Sequence, residues 1–356
     1  MAKLNQKLIA ERLDLSTTTV SRCFTNHPKI NPETRAKVFQ LAAEMGYSYT
    51  IQRNASSKKP TNRKKIAVIV GVKEKNRGES DIATELISGI AEKCAAEKLD
   101  FEVFYVDPTE FHPKIRARQI VKGVSCLGWK GVVLIYPLIE ESVSNIMAKF
   151  PTVSVLEDYD KCDVDCINQD HVRGISRVMQ RLYDLGHRKI GFLSWKYAVH
   201  APWVERRLGA YVENIYRLGL ELDPKLILNV KPHEQIPLET LADQVKEELA
   251  NGVTAWVCAA DHQAYCLYSD LKERGVSVPG DVSITGFDGI VPPAGLPQVT
   301  TIRILFKDIG ISAVNTLLRK IEQPLANRRN IQVSGSTIEG DTTTAPLKQP
   351  ALAGTR

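Results

Sequence analysis

A short polar run near the amino terminus carries groups that can bind nucleic acid. The hydroxyls of Thr17, Thr18, Thr19 and Ser21 can contact phosphate oxygens or base edges, and the guanidinium of Arg22 can donate two hydrogen bonds to one guanine. An ordinary exposed helix face is the alternative, but threonine is a poor helix former and three in succession need a further reason. The run therefore predicts a helix that contacts DNA.

Motifs of the common enzyme and metal sites are missing from the sequence. It contains no glycine-rich dinucleotide or phosphate loop, no Gly-x-Ser-x-Gly nucleophile elbow and no His-Glu-x-x-His zinc motif. Cys162, Cys166 and His171 come nearest to a zinc site, but their spacing fits no standard arrangement. Isolated side chains are the better interpretation, so we expect no enzyme activity, no cofactor and no metal.

The polar run lies in a pattern of helix, turn and helix. The first helix is expected over residues 6–13, and Asp14-Leu15 forms the turn that follows it. Ser16 is a favourable N-cap for the second helix, which we expect to end at Cys23 or Phe24. This arrangement is the one that places a second helix in the major groove of DNA.

A third helix completes this head. Asn31 is its expected cap, Pro32 its first residue, where the missing N–H costs nothing, and Gly46 its stop. Three helices in so short a segment are typical of a DNA-reading module.

The basic charge of the chain is concentrated in this head. The whole chain has 47 lysines and arginines against 41 aspartates and glutamates, a formal net charge of +6. Residues 1–65 hold 13 of the basic and only 4 of the acidic side chains, so their net charge is +9 and the remaining body is slightly acidic. A small basic head on a near-neutral body is typical of a nucleic-acid binder.

The composition predicts a protein of the cytoplasm. The amino-terminal residues lack the apolar stretch of a secretory signal, and no apolar run approaches the roughly 20 residues of a membrane helix. The seven cysteines are scattered and odd in number, as expected for reduced thiols.

After the head the sequence changes twice. Residues 50–65 are rich in serine, asparagine, lysine, arginine and proline, and we interpret them as a linker. From residue 66 onwards, continuous apolar runs alternate with helical patterns. The expected strands are 66–70, 132–135, 153–156, 190–193, 255–258 and 282–285, and the expected helices include 82–98, 174–185 and 262–274. Unalternated strands separated by helices predict parallel sheets covered on both faces, with enough chain for two lobes.

The head contains the runs Leu15-Ser16-Thr17-Thr18-Thr19-Val20-Ser21-Arg22, Pro28-Lys29-Ile30-Asn31-Pro32-Glu33-Thr34-Arg35 and Glu44-Met45-Gly46-Tyr47. In these runs it resembles the head of the lactose-repressor and galactose-repressor (LacI/GalR) regulators. Asp14 stands where that family usually has glycine, but aspartate tolerates a left-handed conformation, so the turn can be kept. The family's hinge helix usually carries a proline and a leucine that wedges into the minor groove, where this chain has Tyr49 and Ser56. A basic linker that contacts only phosphates is the alternative.

The resemblance continues through the body to about Thr343. It implies a two-lobed α/β body of the type I periplasmic-binding-protein-like fold, with ligand between lobes that the chain joins by three crossings near residues 165, 295 and 327. The implied domains are a helix-turn-helix head at 1–49, a basic hinge at 50–65, an effector-binding and dimerisation body at 66–345 and a flexible tail at 346–356. The matching segments are 185–191, 206–211, 278–283, 286–289 and 300–302.

The resemblance also assigns ligand-binding residues. Asp288 ends a strand, where ligands of open parallel sheets bind, and its carboxylate can accept hydrogens from ligand hydroxyls. Arg206 can donate a fork of hydrogen bonds, while Ala260 replaces an asparagine that the family often has. The aromatic faces of Trp195 and Trp203 suit a sugar or nucleoside, but packing in the core or at the rim is an equal alternative. The implied effector contacts are Asp170, Trp195, His200, Arg206, Asp261 and Asp288.

The resemblance implies a cytoplasmic, homodimeric transcription regulator, with repression as its expected mode. It would bind an approximately palindromic double-stranded operator and respond to a sugar or sugar derivative. One alternative keeps the DNA-binding head and has a protein partner act on the body, and a second is a solute-binding protein, which the basic head disfavours. The implied DNA contacts are Ser16, Thr17, Thr18, Thr19, Ser21, Arg22, Lys29, Asn31 and Arg53.

Overall fold

The computed structural model describes residues 6–24, 30–44, 64–72, 77–113, 128–197, 200–230 and 236–347. Eight residues named above lie outside these ranges, namely Pro28, Lys29, Met45, Gly46, Tyr47, Tyr49, Arg53 and Ser56. The chain divides into two units: the first runs to Asn168 and includes Leu305–Gln332, and the second comprises Gln169–Ile304 and the chain from Val333.

Beyond the head, the described chain forms single or paired strands separated by helices. The strands are β1 Lys65–Gly71, β2 Asp100–Val106, β3 Trp129–Ile135, β4 Thr152–Val155, β5 Asp165–Gln169, β6 Ile190–Leu193, β7 Ile227–Leu228, β8 Ala255–Cys258, β9 Ser283–Thr285, β10 Thr301–Arg303, β11 Asn330–Val333 and β12 Ser336–Ile338. The helices are α1 Gln6–Arg12, α2 Thr17–Phe24, α3 Pro32–Glu44, α4 Arg77–Ala96, α5 Glu140–Met147, α6 His171–Asp184, α7 Pro202–Arg217, α8 Leu238–Ala250, α9 Asp261–Glu273 and α10 Phe306–Glu322. Every strand predicted from an apolar run is present. The predicted ends lie within one residue of the observed ones, except that β3 begins at Trp129 and not at residue 132.

The head has the expected helix, turn and helix. Ser16 caps α2, since its hydroxyl accepts the backbone N–H of Thr19 at 3.0 Å. Asp14 has a φ of 52°, so the left-handed turn expected there is confirmed. The three helices share a small apolar core, whose fully buried members are Ile9, Ala10, Val20, Cys23, Val38 and Ala42.

The first unit is built on a six-stranded sheet in the order β11-β5-β4-β3-β1-β2. The pairs β1–β2, β1–β3, β3–β4 and β4–β5 are parallel, as the unalternated apolar strands predicted. Helices α4 and α10 pack closely together, because Gly310 leaves its space to the backbone of Leu86 and a Cβ there would overlap that carbonyl.

The second unit carries a four-stranded parallel sheet in the order β7-β6-β8-β9. Its core includes Trp256 and Leu271, and its last sheet is the antiparallel pair β10–β12. The carboxyl ends of β6, β8 and β9 lie at the same edge, where the loops to α7 and α9 begin. Residues near this edge are therefore brought together from distant parts of the chain.

The chain passes between the two units three times, as predicted, but at different positions. The passages lie at 168/169, 304/305 and 332/333, whereas they were expected near 165, 295 and 327. The largest difference arises because residues 300–304 still belong to the second unit's sheet. Gly286 N–H donates to the Thr300 carbonyl at 2.9 Å, and Asp288 N–H donates to the Ile302 carbonyl at 3.0 Å.

No helix in the described part of the chain has the length and apolar character required to cross a membrane.

Candidate functional site

Helix α2 presents its polar side chains on one face. Val20 and Cys23 are buried in the head's core, so the opposite side of the helix is left to Thr17, Thr18 and Arg22, which are all exposed. An exposed, packed and capped helix of this kind is what insertion into a DNA groove needs.

The other proposed DNA contacts in the described head are less exposed or already bonded. The hydroxyls of Ser16 and Thr19 lie 2.8 Å apart and bond to each other, and Ser21 is half-buried. Asn31 is exposed, and its carbonyl accepts the N–H of Arg35 at the start of α3. The structure therefore leaves Thr17, Thr18, Arg22 and Asn31 as the most accessible members of the set.

In the second unit, a buried arginine joins the ends of several elements. Arg207 on α7 is only 1% exposed, and its Nη2 donates to Asp288 Oδ1 at 2.9 Å. Its Nε donates to His171 Nδ1 at 3.1 Å, and its Nη1 donates to the carbonyl of Ala259. One guanidinium thereby connects α6, α7 and the loops that follow β8 and β9.

Aromatic rings cover the Arg207 guanidinium. Its carbon lies 3.8 Å from the centre of the Phe287 ring and 4.7 Å from that of Trp203. Both distances are within the range of cation–π attraction, which is strongest where water is excluded. We call Arg207, Asp288, His171, Trp203 and Phe287 the arginine cluster.

Burial shifts the pKa values of the charged pair in this cluster. Desolvation lowers the pKa of Arg207 and raises that of Asp288, and in each case the partner opposes the shift. A guanidinium titrates so far above neutrality that it keeps its charge, and this charge opposes the rise in the pKa of Asp288. The pair is a salt bridge with directional donors and an anionic acceptor.

His171 is neutral and presents an unused donor. Burial, followed by the charges of Arg207 and Arg206, places its pKa well below the ordinary value of 6.5. Because Nδ1 accepts a hydrogen bond from Arg207, the proton of the neutral ring lies on Nε2. That atom is buried and has no hydrogen-bond partner among the described residues. Such a group is satisfied by a water or a ligand in most proteins.

A second group of rings lies beside the arginine cluster in the same unit. The Tyr197 and Trp203 rings meet edge to face at 5.3 Å, as do Trp195 and His262 at 4.8 Å. The Tyr197 hydroxyl lies 3.2 Å from His262 Nε2 and accepts from Gln263 Nε2 at 2.9 Å. Burial, then the Arg207 charge, lowers the pKa of His262 to about 4, so this ring is also neutral.

The structure brings a neighbouring arginine to Asp288, while Arg206 as a ligand contact stays a prediction. Arg206 was expected to work with Asp288, but the guanidinium that reaches Asp288 belongs to Arg207. The buried side of α7 carries Val204, Arg207, Tyr211 and Ile215, a helical spacing of three and four residues that excludes position 206. This periodicity was visible in the sequence and could have identified Arg207.

Three other proposed ligand contacts have structural partners. Asp170 caps α6, accepting the N–H of Arg173 at 3.0 Å. His200 is exposed, and its Nε2 lies 2.8 Å from the carboxylate of Glu205. Asp261 is fully buried, and its carboxylate accepts hydrogen bonds from Gly289, Ile290 and Thr301. Its assignment as a ligand contact stays a prediction, and these bonds give it a supporting contact with the loop.

Trp195, the remaining ligand assignment, is half-buried and packs against the core of the second unit. Sequence reasoning missed Arg207, Phe287 and Gln263, and it considered His171 only as a zinc ligand.

The structure groups no metal-binding side chains among its described residues. Cys162 Sγ lies 3.2 Å from Ser144 Oγ, and Cys166 Sγ donates to the carbonyl of Glu157, so both thiols have partners in the first unit.

Two protein families match this chain. Residues 7–49 match the bacterial regulatory proteins of the lacI family, and residues 179–343 match the periplasmic binding protein-like domain. The first match covers the basic head, and the second covers most of the second unit.

Individual relatives agree with both matches along nearly the whole chain. The ribose operon repressor of Haemophilus influenzae is 24% identical over 330 residues, which cover 91% of this chain and 94% of that protein. A lac repressor dimer bound to operator and the anti-inducer ONPF has a TM-score of 0.63 at 21% identity, covering 96% of this chain and 99% of its own. A LacI family regulator from Enterococcus faecium with bound ribose has a TM-score of 0.62 at 20% identity, covering 80% of this chain and all of its own.

Proposed function

Because this chain belongs to the LacI family of transcriptional regulators, we propose that its arginine cluster binds a small polyhydroxylated effector which sets the affinity of the head for operator DNA. The chain is a DNA-binding regulator with a helix-turn-helix head and an α/β body. Repression is the mode we expect, since two proteins similar to this chain are repressors by name, the ribose operon repressor and the lac repressor.

The observation that carries the effector proposal is the salt bridge between Arg207 and Asp288 beneath the faces of Trp203 and Phe287. Hydroxyl groups can donate to the carboxylate and accept from buried N–H groups, and the C–H faces of a sugar ring pack against indole and phenyl rings. The unpartnered Nε2–H of His171 supplies one further donor. A sugar or sugar derivative satisfies these groups together.

We further propose a homodimer acting in the cytoplasm, where its operator lies. One short recognition helix reads too few base pairs for useful specificity, whereas two related by a twofold axis read an approximate palindrome. Within the head, Thr17, Thr18, Arg22 and Asn31 are the proposed contacts that the structure leaves accessible. We propose no catalytic role for any residue, because the cluster's groups are those of recognition.

The effector proposal is tested on the full-length protein with an operator obtained by in vitro selection. Calorimetry against ribose, other neutral mono- and disaccharides and nucleosides should identify at least one ligand. That ligand should change the operator affinity measured by fluorescence anisotropy about tenfold, and operator DNA should change ligand affinity by the same factor, because the coupling is reciprocal.

Two variants locate the binding site. Asp288→Asn should abolish the ligand response while operator binding without ligand persists, and Asp281→Asn is its control, since that carboxylate is exposed and accepts only a backbone N–H. Trp203→Phe is the second variant, because it replaces the half-buried indole with a smaller aromatic ring and leaves the Arg207–Asp288 pair intact. Absence of binding across the panel, or a normal response of both variants, would make a protein partner the leading explanation of the body.

A further inference from the structure

The carboxylate of Asp261 is wholly buried and holds the loop that carries Asp288. Asp261 Oδ2 accepts the backbone N–H groups of Gly289 at 2.7 Å and Ile290 at 2.9 Å. Its Oδ1 accepts the hydroxyl of Thr301 at 2.5 Å, and its own N–H donates to the Phe287 carbonyl at 2.9 Å. The start of α9 is thereby tied to both sides of residue 288.

The backbone held in this way is strained. Asp288 has a φ of 124°, a backbone conformation that residues other than glycine rarely adopt. Hydrogen bonds with Ile302 and Ile304 fix Asp288 from the β10 side, and the bonds of Asp261 fix the next two residues. Gly286 completes the fit, because a Cβ there would overlap Asp261 Oδ1.

We propose that Asp261 is a positioning residue: by binding the amides of residues 289 and 290, it keeps Asp288 in the strained conformation that delivers its carboxylate to Arg207. The inference rests on the proposed function, since it explains how the effector site is built. In this role Asp261 acts through the loop. Its three acceptor bonds all come from residues at least 28 positions away in the sequence.

The carboxyl group of Asp261, which holds the loop after Asp288, can also titrate. Burial, and then the charge of Asp288, raises its pKa from 3.8 to about 7, while its three hydrogen bonds oppose the rise. The ionisable groups facing it are Asp288, Arg207 on α7, Cys258 on β8 and Tyr265 on α9. Below pH 7 the carboxyl is neutral and can donate to Thr301 Oγ1, and above it the carboxylate binds both amides more tightly.

Hydrogen exchange of the peptide that covers residues 286–304 tests the positioning role without any ligand. Asp261→Ala removes the oxygen that accepts both amides and should raise exchange in this peptide about tenfold, since two hydrogen bonds to the carboxyl group are lost. Asp261→Asn has the shape of the protonated residue and can still accept the two N–H groups, so it should exchange much less than Asp261→Ala at every pH. Asp281→Asn, on the same unit, is the control and should leave this peptide unchanged.

The carboxyl titration supplies a second readout that general destabilisation would not imitate. In protein labelled with 13C at aspartate Cγ, the resonance lost in Asp261→Asn should titrate near pH 7. Asp288→Asn should lower this midpoint, because it removes a neighbouring negative charge, whereas Thr301→Val should raise it, because it removes a stabilising donor. Both neighbouring variants keep Asp261 itself.

The outcomes separate the two proposals. Unchanged exchange in Asp261→Ala, or midpoints that do not move in these opposite directions, would overturn the positioning role. If Asp261→Ala fails to fold, then the two titration shifts decide the question. Failure of every panel sugar to bind the wild-type protein would refute the proposed effector and leave these ligand-free readouts intact.

Discussion

Breaking the Arg207–Asp288 pair from one side should be far more damaging than removing it from both. Arg207→Met leaves the buried carboxylate without its cation, and Asp288→Asn leaves the buried guanidinium without its anion. Each single substitution should lower the free energy of unfolding by about 3–5 kcal/mol, as expected for an uncompensated buried charge. Asparagine is chosen at 288 because it tolerates positive φ better than most residues.

The double variant removes both charges at once. It leaves only the Ala259 carbonyl and His171 Nδ1 without their donor, at about 1–3 kcal/mol for the unsatisfied groups. The sum of the two single effects should therefore exceed the double effect by several kcal/mol, which a double-mutant cycle measures directly. Urea unfolding followed by tryptophan fluorescence provides the free energies.

The control for this cycle is the exposed Arg274–Asp243 pair. Asp243→Asn changes the same chemical group on the surface of the same unit and should leave the unfolding midpoint where it is. Single effects that simply add up in the double variant would refute the reasoning, because Arg207 and Asp288 would then be stabilised independently.

Further outcomes follow from the same structure. Arg22→Ala should weaken operator binding by about 1–3 kcal/mol and relax specificity at one base pair, while Arg12→Ala serves as the exposed control; identical gel shifts for the two would contradict the recognition role of α2. The pKa of Asp261 is higher in the folded protein than in the unfolded chain, so protonated Asp261 stabilises the fold. This contribution to the free energy of unfolding is complete below pH 4 and is lost as pH rises to about 7, by about 4 kcal/mol in all. Asp261→Asn should flatten this part of the pH profile in urea titrations, and an unchanged profile would argue against the shift. Gly286→Ala should destabilise the second unit in the same assay, since its Cβ has no room beside Asp261. Ser56→Leu should increase operator bending in a circular-permutation assay, because leucine supplies the apolar wedge that serine lacks. Unchanged bending would mean that another residue supplies the wedge or that none is used.

Much of the architecture was predictable because its signals are local. The cap at Ser16 and the start of α3 at Pro32 depend on residues within one helical turn, and the structure has both helices at those positions. The left-handed Asp14 follows from the tolerance of its own side chain. The buried strands follow from continuous apolar runs, which only a sheet covered on both faces can accommodate.

What only the tertiary structure decided is which polar groups meet. Nothing in the local sequence distinguishes the two neighbouring arginines of α7. The packing of Val204 and Tyr211 places Arg207, and not Arg206, on the buried side of the helix that reaches Asp288. Asp261 has the same appearance as any carboxylate after a strand, and its supporting role depends on amides and a hydroxyl 28 to 40 residues away. Sequence alone thus determined the elements and the charge of the head, because capping, periodicity and composition act over a few residues. The site needed the fold, since hydrogen bonds and burial depend on distances that only the folded chain sets.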